Sequence, residues 1–288
     1  MGWQDRKYSG TDSGNGGFGP GLMQLLTGSV YLFTWMSIPV RIHATLILYL
    51  VFSILGAGQR GGMSLKDAAT SAAILFGIVL LHEFGHCIAA RKVGGDANEI
   101  LLWPLGGLAY IRTPQRPWPS FVGTAGGPLV NVVICAVTGL ILLSMTRFQG
   151  SLSINPLTPF GGDPGINIQT LELIFSNGFA YILYWIYSVS FSLLVFNLLP
   201  IFPMDGGRIF QTMLWPKLGF YKSMNIACIV GMVGAGAMCL FGLGGNFFLF
   251  FLGFSGFMTC YQTRMNLPAL SEEAWRDSQY TSGYRQPP

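Results

Sequence analysis

Residues 82–86 read His-Glu-Phe-Gly-His, within the run LLHEFGHCIAA (80–90) of a chain in which only 10% of residues are charged. On a helix, two histidines four apart lie about 40° apart around the axis and one turn apart along it. Both imidazoles can then hold one metal ion from the same side. Glu83 stands beside the first histidine, near such a metal without having to ligate it. In this His-Glu-x-x-His arrangement the glutamate takes a proton from a water that the metal has made acidic. Zinc suits two neutral imidazoles and a carboxylate, and brings the pKa of that water towards about 7. A single histidine in an apolar helix is more simply a buried residue bonded to a backbone carbonyl. Three polar groups together, at a depth where charge is costly, point to function.

A catalytic zinc usually has three protein ligands. Acidic residues in or near the apolar runs are few, and apart from Glu83 the clear one is Asp205, in NLLPIFPMDGGRI (197–209). Pro200 and Pro203 break a helix and Gly206-Gly207 frees the backbone, so a carboxylate can point into a helix bundle from an unwound stretch. Taken alone, the same aspartate reads as a turn residue capping the next helix. In GTAGGPLVN (123–131), Gly126, Gly127 and Pro128 allow close helix approach and leave a carbonyl without its helical partner. Asn131 offers an amide that donates and accepts, suited to holding a substrate backbone or an oxyanion. An interhelical hydrogen bond suits it equally; beside a metal, substrate contact is the favoured reading. His43, the third histidine, fits a group behind the ligands or at the entrance to the site, and fits a plain interfacial position as well.

The elements that must bring these residues together are membrane spans. The 288 residues are 51% hydrophobic with a mean hydropathy of +0.50, whereas soluble domains carry about a quarter charged residues. The net charge of +4 is scattered between apolar runs, without the basic stripe that nucleic acid requires. Five cysteines without a CxxC pair argue against a disulfide framework or a thiolate zinc site. Runs long enough to cross a hydrocarbon core fall near 38–57, 68–90, 121–145, 179–199, 223–243 and 246–261, six spans in all. With six, thirteen of the sixteen basic residues share one side, and only Arg60, Lys66 and Arg147 lie on the other. That bias places both termini in the cytoplasm. It also brings 82–86, 123–131 and Asp205 to the cytoplasmic ends of their spans. The expected fold is an all-α polytopic membrane protein of about six transmembrane helices. A small membrane-surface β-hairpin over 98–111 accompanies them, and 29–38 could add a further strand. Residues 1–28 read as a disordered lead, 29–263 as the integral-membrane domain and 264–288 as a polar tail.

These motifs resemble the site-2 protease family of intramembrane zinc metalloproteases: HEFGH at 82–86, GGPLVN at 126–131 and NLLPIFPMDGG at 197–207, in the family's order. The resemblance implies one zinc ion held by His82, His86 and Asp205, with Glu83 as general base and Asn131 contacting the substrate. It implies a three-helix core, here 68–90, 121–145 and 179–199, and substrates that are membrane-spanning segments of other proteins. A hairpin beside the site, similar to 98–111, could pair with an unwound substrate strand. The chain differs from many relatives in showing no room for a PDZ domain in the 147–178 loop and no C-terminal CBS module. The rival reading is a membrane metal transporter or a metal-binding protein that cuts nothing.

Overall fold

The structure, a computed structural model, describes residues 28–57, 65–104, 106–145 and 176–268. The expected lead over 1–28, the 147–178 loop and the polar tail therefore lie wholly or largely outside the described residues. Within them the order is β1 (Ser29–Trp35), β2 (Ile38–His43), α1 (Ala44–Ala57), α2 (Leu65–Lys92), β3 (Asp96–Trp103), β4 (Gly106–Arg112), α3 (Pro117–Met145), α4 (Gly178–Asn197), α5 (Asp205–Gly242) and α6 (Phe247–Met265). Of the six helices described, α2, α3, α4 and α5 are long and apolar enough to cross a membrane. At 1.5 Å per residue a helix of about 20 residues spans the hydrocarbon core, and α4 with 20 is the shortest of the four.

Two expected spans take a different form. Residues 38–43 are a strand, not the start of a helix. Pro39 removes a helical donor, and Ile38 and Val40, two apart, are both fully buried on one face. That is the period of a strand. What remains, α1, has 14 residues, short of a full crossing. The run expected from 223 belongs to a longer helix: α5 begins at Asp205 and turns at Gly219, where φ is 77°.

The sheet is also larger than a single hairpin, with four strands in the order β1-β2-β3-β4. β3 and β4 pair antiparallel as expected. β1 and β2 form a second hairpin, and β2 joins β3 in parallel through Val40–Ile42 and Ile100–Leu102. The β1–β2 turn is Met36-Ser37, both at positive φ (51° and 61°), the signs of the tight turn that matches strand twist.

Packing is organised around α2. Ile38, Val40, Ile100 and Leu102 of the sheet bury against its Val79, Phe84 and Cys87. On another face Ile78 meets Trp185 and Val189 of α4. Towards α3 the contact is backbone on backbone. A Cβ at Gly85 would lie 2.9 Å from the Gly126 carbonyl carbon and 2.7 Å from Val130 Cγ2. Gly77, on the same helix, has nothing within 4 Å of that position. Gly85→Val should therefore lower thermal stability in detergent by the equivalent of about 1–3 kcal/mol, the cost of overpacking. Gly77→Ala should leave it equal or slightly higher. Equal melting of the two variants would mean that the α2–α3 approach is not the tight constraint described.

Candidate metal centre

The helical spacing of His82 and His86 brings their Nε2 atoms to 3.1 Å of each other on the α3 side of α2. Asp205 Oδ2 lies 3.1 Å from the first and 3.2 Å from the second. One ligand atom from each of the three residues falls within a 4.8 Å group, so they could hold one metal ion. Space for it is left by Gly127, where a Cβ would stand 2.6 Å from His82 Nε2 and against His86 Nε2 as well. Two imidazoles and a carboxylate that open on a cavity fit a zinc-type site with an open position.

Each of the three side chains is aimed from outside its own element. His86 Nδ1 donates to the Gly123 carbonyl at 2.9 Å. A carbonyl can only accept, so the proton sits on Nδ1 and Nε2 keeps its lone pair for a metal. His82 Nδ1 lies 3.1 Å from the Asn131 amide nitrogen. Asp205 is delivered by the break between α4 and α5. Residues 198–204 leave the helix, and Ile201 and Phe202 bury against Ala227, Cys228 and Ala235 of α5 and Cys260 of α6. Gly231, Gly234 and Gly256 face Ile201 closely, within 3.5 Å of a Cβ built at each.

Glu83, one residue on from His82, points towards the sheet. Its Oε2 accepts from the Ala109 N–H of β4 at 3.0 Å. Gly107 is a glycine for the same reason: a Cβ there would lie 2.6 Å from Glu83 Oε1. His82, Glu83, His86 and Asp205 together line one cavity of about 200 Å³, closed on one side by β4 and reached by Thr124, Asn197 and Arg208.

Of the residues singled out from sequence, His82, Glu83, His86 and Asp205 come together. Asn131 is fully buried, 0% exposed, behind His82. His43 bonds locally, its Nδ1 2.7 Å from Thr45 Oγ1, at the junction of β2 and α1. Asn197 went unremarked in the sequence, yet its Nδ2 lies 3.5 Å from His82 Nε2. Its one signal was position, as an asparagine closing an apolar span eight residues before Asp205. Gly107 gave no signal, because its neighbour Glu83 is remote in sequence.

Fold and site together define an integral membrane protein with a buried centre of two histidines and one carboxylate. The chain belongs to peptidase family M50, that of the site-2 proteases, whose family model matches residues 70–241. It is 36% identical over 219 residues to a protein of Methanocaldococcus jannaschii named zinc metalloprotease, covering 75% of this chain and 54% of that one. It is 25% identical over 193 residues to Rip3 of Mycobacterium tuberculosis, covering 66% and 39%. The chain thus spans about half the length, or less, of these curated relatives. Among solved structures it resembles a site-2 protease from Methanocaldococcus jannaschii, with a TM-score of 0.52, 32% identity and coverage of 82% of this chain and 95% of that one.

Metal analysis of the purified chain should return about one zinc per chain. His82→Ala and Asp205→Ala should each lose it on dialysis against a mild chelator, while His43→Ala keeps it. Retention of zinc by both ligand variants would place the metal elsewhere.

Proposed function

We propose that this chain is an integral-membrane zinc metalloendopeptidase that cleaves peptide bonds within or near the transmembrane segments of other membrane proteins. Its working part lies within residues 29–263. One observation carries the reading: two histidines on one helical turn and an aspartate 123 residues from the first converge at a single point, on the wall of a cavity shared with Glu83. His82, His86 and Asp205 hold the ion, and Glu83 is the general base. Bound zinc supplies a Lewis acid that polarises the scissile carbonyl and makes water acidic enough to lose a proton near neutral pH.

Glu83 is placed to take that proton and to pass it to the leaving amine. The Ala109 N–H holds one carboxylate oxygen, and Gly107 leaves room beside the other. β4 is the outermost strand on its side of the sheet and lines the cavity with Gly107 and Ala109. An unwound substrate strand pairs along such an edge through its backbone. Unwinding is required because a helix shields its own carbonyls with hydrogen bonds, so helix-breaking residues near the scissile bond favour cleavage. Asn197 and Thr124, both on the cavity wall, supply polar groups to the bound backbone.

The loop-charge bias supports an arrangement with both termini, and the metal-bearing ends of the helices, on the cytoplasmic side. It takes α1 and α6 as further membrane-embedded segments beside the four long helices, six in all. A transporter would string its ligands along a path through the membrane, whereas these form one compact group.

Glu83→Gln separates cutting from binding. The variant should keep its zinc and lose hydrolysis of a single-span membrane reporter by about 100-fold or more. In cells, fragments with new ends inside a span should vanish as their precursors accumulate. A variant as active as its parent removes Glu83 from the reaction. A zinc-loaded parent that cuts no membrane-spanning protein removes the protease reading.

A further inference from the structure

We infer that Asn131 is a positioning residue of the metal centre: its amide oxygen accepts a hydrogen bond from His82 Nδ1–H, fixing that ligand's tautomer and aim, and it does not touch substrate. The inference rests on the metal reading above.

One face of α3 holds both histidines. Gly123, Gly127 and Asn131 recur every four residues and so line a single stripe of the helix. At one end the Gly123 carbonyl accepts from His86 Nδ1 at 2.9 Å. In the middle, Gly127 lies against both Nε2 atoms. At the other end Asn131 stands behind His82, its amide nitrogen 3.1 Å from Nδ1. Each imidazole thus meets the same helix at its Nδ1, from the rear.

Proton bookkeeping then assigns the amide. An imidazole that gives its Nε2 lone pair to a metal carries its proton on Nδ1, and that proton needs an acceptor. Gly123 is such an acceptor for His86. For His82 the side chain at that nitrogen, among the described residues, is that of Asn131, and half a turn about its last side-chain torsion puts Oδ1 where Nδ2 stands. Nothing opposes the turn from the oxygen's side, because Asn131 Oδ1 is buried with no hydrogen-bond partner. The backbone of Asn131 is pinned separately, its carbonyl accepting from Ser190 Oγ at 3.3 Å, so the amide can rotate without moving the helix.

Burial removes the competing role. Asn131 exposes none of its surface and has the imidazole of His82 between itself and the cavity. The asparagine on the cavity wall is Asn197.

The test uses the full chain in detergent and zinc alone, with affinity read by competition against a chromophoric chelator. Asn131→Leu keeps roughly the shape and loses the acceptor, and its zinc dissociation constant should rise about 10- to 100-fold. Asn131→Asp keeps an acceptor in the same place and loses the donor; it should stay within about threefold of the parent. Cobalt in place of zinc should give the Asp variant the parent's absorption bands, which keeps the inference testable if the Leu variant does not fold. A substrate-holding amide makes the opposite demand: both variants would bind zinc like the parent, and both would fail in hydrolysis. Parental zinc affinity in Asn131→Leu, or altered cobalt bands in Asn131→Asp, overturns the inference and leaves the metal reading intact. A parent chain that binds no zinc, with His82→Ala no different from it, overturns the metal reading and this inference with it.

Discussion

Backbone contact between α2 and α3, at Gly85 and Gly126, sets the distances on which the centre depends. Lipid offers helices little hydrophobic reason to associate, so small residues that let backbones touch do that work in membranes. Here the contact has a chemical consequence as well. With the two axes this close, Gly123 can reach His86, Asn131 can reach His82, and Gly127 can face the front of both rings. A side chain at Gly85 or Gly126 would meet the backbone of the other helix and push the two apart, and one at Gly127 would meet the imidazoles themselves. α4 completes the arrangement by packing on both helices, through Ile78 with Trp185 and Val189 and through Leu142 with Ala180 and Leu183.

The third proposed ligand is held by a longer chain of contacts. Asp205 opens α5, after a stretch in which Pro200 and Pro203 prevent α4 from continuing. A break of this kind in a membrane bundle is stable only where its backbone finds partners inside the protein. It finds one within the break, where Met204 N–H donates to the Ile201 carbonyl at 2.9 Å, and others in the hairpin of α5 and α6: Cys260 Sγ lies 3.8 Å from the Phe202 oxygen, and Ile201 sits among three glycines. Residues well outside the three central helices thereby aim one carboxylate.

Much of this was legible in the sequence, and the rest was hidden for identifiable reasons. The His-Glu-x-x-His pattern is local, and helical geometry alone turns its spacing into two imidazoles on one face. Asp205 could be found because acids are scarce in apolar surroundings and the loop-charge bias suggests that its end of the span lies level with that of the histidines. The strand at 38–43 was misread as helix because hydropathy cannot distinguish a short buried strand from a span, although Pro39 was a warning. The first hairpin was half seen, since Met36-Ser37 lacks the Gly or Asn that usually marks a turn with two positive φ values. Asn131 was noticed for its chemistry, but only packing shows it behind a histidine with no exposed surface. Gly107 was unreadable, because a glycine kept for a carboxylate on another element carries no local pattern.

The sheet that hydropathy underestimates answers a problem that the helices create. A carboxylate at the depth of Glu83 needs a partner, and α2 has no spare donors to give, because its own N–H groups are committed to the helix. The edge of a strand has uncommitted N–H groups, and Ala109 supplies one. Placing that edge over Glu83 requires the sheet to be referenced to α2, which Arg91 achieves: two turns beyond Glu83, its guanidinium donates to the carbonyls of Met36 and Ala97, one in each hairpin. The helix that carries the glutamate therefore also carries the anchor for the strand that satisfies it. Because α2 bears the two histidines too, a shift of that helix moves His82, His86, Glu83 and the sheet together relative to Asp205. That leaves the aspartate as the part of the centre held by independent contacts, and explains why so much of the C-terminal hairpin is spent on holding its loop.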